Sequence, residues 1–159
     1  MRKRKINPEY LKRITATTVK DDRIDPLDFA LSIKSFTDEY LRGIMSTTVT
    51  GNSVGDIYLK LPVVSYLLRL MCEGAGDDEP ISLHINLDED ITLEARFVKL
   101  PDNEGSAEII SFAKYAGFKV ARDNHTLILR AKVHTASIMK IYATSPDHFR
   151  DMLITTYNM

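Results

Sequence analysis

Four histidines, one cysteine and two acidic runs are the groups in this 159-residue chain best suited to catalysis or metal binding, and their spacing argues against both. His84, His125, His134 and His148 form neither an HxxxH nor an HxH pair, the spacings that bring two imidazoles to one metal ion. His84 and His125 fall on the polar phase of their segments and read as surface residues. Cys72 lies in an apolar stretch, and a thiol without a neighbouring base or positive field is a packing group, not a nucleophile. Asp77-Asp78-Glu79 and Asp88-Glu89-Asp90 sit at turn positions, where carboxylates bond nearby backbone. They lack the alternating oxygens and late glutamate of a calcium loop. No P-loop, nucleophile elbow, Cys-x-x-Cys or dinucleotide fingerprint occurs. The sequence assigns no catalytic, cofactor-binding or metal-ligating residue, and no cofactor.

Charge is balanced overall but uneven. The net charge of −1 gives no general attraction to nucleic acid or anionic lipid. Arg2, Lys3, Arg4 and Lys5 nevertheless form a basic arm, followed by Tyr10, Lys12 and Arg13. No apolar run follows it, so secretion is not expected, and no stretch is long enough to span a membrane. A frayed, solvated terminus is the plain reading. A nucleic-acid arm is the alternative, without a helix-turn-helix signature or an aromatic ladder to support it. The lone cysteine adds the expectation of a reducing, cytoplasmic setting.

The elements that must position these residues follow from periodicity. Residues 8–19 read as a short first helix. Asp25-Pro26 is a helix start, and Leu27, Leu31, Phe36, Tyr40, Leu41 and Ile44 carry an amphipathic helix over 26–45. Ser46–Thr50 reads as its threonine-rich exit, and 54–59 as a short strand or merely an extended piece. Pro62 opens a helix over 62–71 that is apolar nearly all round, hence buried on more than one face. Alternation predicts strands at Ile81–Leu87 and 91–97, a helix over 107–117 capped by Ser106 or Glu104 and stopped by Gly117, then strands at 118–121 and 126–133. A further strand is expected at 138–143 and a last helix at 148–157. This order predicts an α+β two-layer sandwich, with helices on one face of a mixed, mainly antiparallel sheet and helices at the N-terminus. Residues 1–50 form the N-terminal helical segment, either part of the same domain or a dimerisation hairpin, and 51–159 the sandwich.

Gly55-Asp56, the apolar helix 62–71, the strand pair to Phe97, the helix ending in Gly117 and the strands to Val133 resemble the nucleotide-binding half of a histidine-kinase-type (GHKL) ATPase domain. The resemblance covers about residues 54–133 and is one of order, not identity. It implies where nucleotide groups would be held, and those positions depart from the family. Asparagines on the buried helix should bridge magnesium to the phosphates; here the two positions four apart are Tyr66 and Leu70, or Arg69 and Glu73. The strand end that should carry an aspartate for adenine and close-approach glycines reads Ala95-Arg96-Phe97-Val98-Lys99. The glycine-rich lid is reduced to Asp102-Asn103-Glu104-Gly105. The helices before residue 50 hold no histidine for phosphotransfer.

The expectation is a degenerate, non-catalytic domain acting by protein–protein contact, with a protein partner or a second copy. Phe29, Phe36, Tyr40 and Ile44 are the candidate anchors on helix 26–45. Packing of the same residues inside the domain is an equal reading of the pattern. Two other readings are a small-ligand binder or enzyme with an unrecognised pocket, and a regulator contacting nucleic acid through residues 2–5.

Overall fold

Local signals at the helix starts are obeyed closely. A computed structural model describes residues 20–135 and 143–159, with Lys12. The Asp25 carboxylate accepts from the Asp28 amide at 3.1 Å, Pro26 takes the first helical position, and α1 runs Pro26–Tyr40. It stops short of residue 45 because the chain turns at Arg42-Gly43, where Gly43 has φ 76°, a conformation glycine adopts without strain. The β-branched run that follows is strand β2, Met45–Gly51, where only an exit was expected.

Ahead of α1, β1 (Asp22–Ile24) pairs antiparallel with β3 (Ile57–Leu59). Helix α2 runs Leu61–Gly74 and has no side-chain cap of its own at Lys60. Asp22 supplies one from β1: its Oδ2 accepts from the Leu61 amide at 3.1 Å. β4 (Ile81–Leu87) and β5 (Asp90–Arg96) form the expected hairpin. Helix α3, Asn103–Ala116, is capped by Asp102, not by Ser106 or Glu104, and ends at Gly117 with φ 120°. β6 (Lys119–Asp123) and β7 (Thr126–Lys132) make a second hairpin, and α4 (Pro146–Tyr157) starts at the Ser145 cap.

The sheet order is β2-β4-β5-β7-β6, with only β2 and β4 parallel. It is a mixed, mainly antiparallel sheet with helices packed on one face. Ile81, Leu83, Ile85, Ile91, Leu93, Leu127 and Leu129 point to the helices and form one core with them. β1 and β3 form a separate two-stranded sheet, and Ile24 of β1 and the buried face of α1 join the same core; residue 50 lies inside β2. The expected helix 8–19 apart from Lys12, the basic arm Arg2, Lys3, Arg4 and Lys5, and all but Ala143 of the expected strand 138–143 lie outside the described residues. No helix among the described residues is long and apolar enough to cross a membrane.

Candidate functional site

Three places should meet if a nucleotide cleft were present: the end of α2, the end of β5, and the start of α3. The end of α2 does meet the start of α3, and each register of the α2 pair is covered by a different helix. Tyr66 packs edge-on against Phe112 of α3, ring centroids 4.9 Å apart, with Leu70 buried on the same helix. Arg69 instead points at α4. Its Nη1 donates to the Thr156 carbonyl at 3.0 Å, and its Nε donates to Glu73 Oε1 at 2.9 Å one turn along. Only 5% of Arg69 is exposed. A buried guanidinium with an ion pair and a carbonyl acceptor is a satisfied structural group.

The lid side is equally tight. A Cβ added at Gly74 would stand 2.9 Å from Pro101 Cγ and 3.7 Å from Ile109 Cδ1, so the end of α2 is pressed against the short loop before α3. Phe97, just past the end of β5, is buried. Tyr66 is held in this wall as a neutral phenol. Burial, with the Glu108 and Glu73 carboxylates adding to it, pushes its pKa up to about 12.

Helix α4 closes the other side. It lies between α1 and α2, packing on both. Phe149 stacks on Phe29 at 5.4 Å, and Tyr157 meets Phe36 edge-on at 6.0 Å, so α1 and α4 run in the same direction. Arg150 of α4 also pairs with Glu39 of α1. Where α1, α2 and α4 converge, Phe36, Leu68, Arg69, Cys72, Leu153 and Tyr157 leave a space of only about 10 Å³, at the lower limit for one water molecule.

These contacts place the candidate anchors. Phe29 and Phe36 are fully buried in the domain's own core by α4, and Tyr40 and Ile44 are half-buried against it. The 3.6-residue period identifies a buried face but not the neighbour that buries it. Large apolar side chains that do reach solvent among the described residues are Leu27, Leu31, Val54, Tyr58 and Val98.

The other candidate groups are dispersed. His84 Nε2 is 2.7 Å from Thr50 Oγ1 on the open sheet face, while His134 pairs its backbone with Asp56 and packs edge-on to Tyr58. Among the described residues, no group of three His, Cys, Asp or Glu side chains could hold a metal ion. Asp78-Glu79 closes a turn in which the Glu79 amide donates to the Gly76 carbonyl at 3.0 Å.

No protein-family model and no curated protein matches the chain. Solved structures do. The catalytic domain of histidine kinase ThkA is 12% identical with a TM-score of 0.48, over 74% of this chain and 99% of that one. The cytoplasmic segment of histidine kinase QseC is 12% identical, with a TM-score of 0.44 over 76% of this chain and 77% of that one. The Acinetobacter baumannii histidine kinase AdeS is 11% identical, with a TM-score of 0.42 over 81% and 77% of the two chains. The likeness is one of overall fold, at low identity.

Proposed function

We propose that this chain is a non-catalytic regulatory domain that works by protein contact, built on a kinase-type ATPase scaffold whose nucleotide cleft is filled by its own side chains. The observation that carries this reading is the Arg69 cluster. A cation bonded to Glu73 and to the Thr156 carbonyl stands at one of the two registers where the family would place a magnesium-binding asparagine. Placing a second cation beside Arg69 is electrostatically unfavourable, and α4 leaves no room for phosphates there. The Gly74–Pro101 contact on the lid side and buried Phe97 at the adenine end support the same reading.

Thermal unfolding with and without Mg-ATP tests it. A site on the folded state occupied at a hundred times its dissociation constant adds about 2.7 kcal/mol of stability. The expected outcome is an unchanged melting curve at millimolar Mg-ATP. A rise of that size, dependent on magnesium, would overturn the proposal.

A further inference from the structure

The two edges of the sheet are unlike. β6 carries Lys119, Arg122 and Asp123, charges of the kind that keep an edge from pairing with another chain. β2 reads Met-Ser-Thr-Thr-Val-Thr-Gly, with no charge and no proline over seven residues. Its bonding to β4 decides which backbone groups remain. The Ile81 amide donates to the Ile44 carbonyl at 2.8 Å, and the parallel register continues to Gly51 opposite Leu87. Residues 44, 46, 48 and 50 therefore turn their amides and carbonyls toward β4, and 45, 47, 49 and 51 turn theirs outward. The Met45 amide is taken by the Leu41 carbonyl at 3.0 Å. Lys34 Nζ reaches the Thr47 carbonyl at 3.3 Å while holding Asp38 at 3.0 Å. Among the described residues no strand pairs with this edge.

We propose that β2 pairs antiparallel with β2 of a second copy of this chain, about a two-fold axis at Thr48, joining the two sheets edge to edge. Thr47 and Val49 of one copy then exchange backbone bonds with Val49 and Thr47 of the other, using outward-facing groups that β4 leaves free. On the exposed sheet face Thr48 meets its own copy and Ser46 meets Thr50, while Thr47 meets Val49 on the helix side. All these pairs are uncharged, and Thr–Thr and Thr–Ser pairs across antiparallel strands are favourable. The second copy is the fitting occupant because β2 is complementary to itself: charge-free, and flanked at Thr48 by small and β-branched residues at 46, 47, 49 and 50. Lys34 keeps Asp38 as a partner when it releases the Thr47 carbonyl. This inference deepens the proposed contact role and rests on it for its meaning. Its test reads mass, not nucleotide, so either can fail alone.

Light scattering and sedimentation of the whole chain supply the test, with circular dichroism to check folding. The wild-type chain is expected at twice 18.0 kDa. Thr48→Lys and Thr48→Glu each place like charges opposite one another, and each should weaken association by at least about tenfold. An equal mixture of the two variants should recover the doubled mass. Val49→Pro removes an outward amide without touching the ladder to β4, and should give a folded monomer. A wild-type monomer, variants that retain the doubled mass, or a mixture that stays monomeric would each overturn the proposal.

Discussion

Arg69 shows how a charge can be held inside a small domain. Its side chain is 4% exposed, and both its partners lie within 3.0 Å, so truncation strands Glu73 and leaves a void beside α4. Arg69→Ala is expected to cost about 3–5 kcal/mol in urea unfolding, while Arg69→Met, which refills the volume without charge, should recover most of it. Tyr66 gives a pH signature. Its neutral form is favoured in the folded state, so its contribution is intact below the ordinary tyrosine pKa of 10.0 and is lost as pH rises through about 12. Relative to Tyr66→Phe, wild-type stability should fall by roughly 1–2 kcal/mol across that window, after allowance for solvent screening. A difference that stays flat would show that the phenol is not enclosed. Asp22 works across elements. Burial pushes its carboxyl pKa up, while the Leu61 amide and His148 pull it down. Asp22→Ala should cost about 1 kcal/mol through loss of the α2 cap, and Asp22→Asn, which keeps an acceptor, should cost less.

Among the elements, α4 is central, because it buries faces of both α1 and α2. Phe149→Ala removes a ring stacked on Phe29 in a fully enclosed site and should cost about 3–5 kcal/mol, read as a lower urea midpoint. Several elements were legible in the sequence. Asp25-Pro26 and Pro62 mark helix starts by a cap and a fixed φ, and the alternation of Ile81–Leu87 marks a strand buried on one face. β2 was not legible. As an edge strand it buries little apolar surface, so its sequence lacks the apolar alternation by which half-buried strands are recognised. The docking of α4 was not legible either. Phe149, Leu153 and Thr156 define an inward face, but nothing local states that the opposite wall is Phe29 and Arg69. The candidate site shared this limit. The sequence named Arg69 and Glu73 as one register, and only tertiary placement brings Thr156 to them.

At the scale of the molecule, one parallel pair, β2 with β4, ties the N-terminal part of the described chain into the sheet. The crossover between them contains β3 and α2, so α2 is tied to strands on both sides in sequence, to β3 directly before it and to β4 through residues 75–80.

The order of synthesis gives the place of α4 in the chain a further meaning. A ribosome delivers α1, α2 and the described strands before the helix that roofs them, so a nascent chain carries a greasy furrow lined by Phe29, Phe36 and Leu68 until α4 emerges. Stalling or chaperone capture in that interval would act on a sheet still lacking this wall.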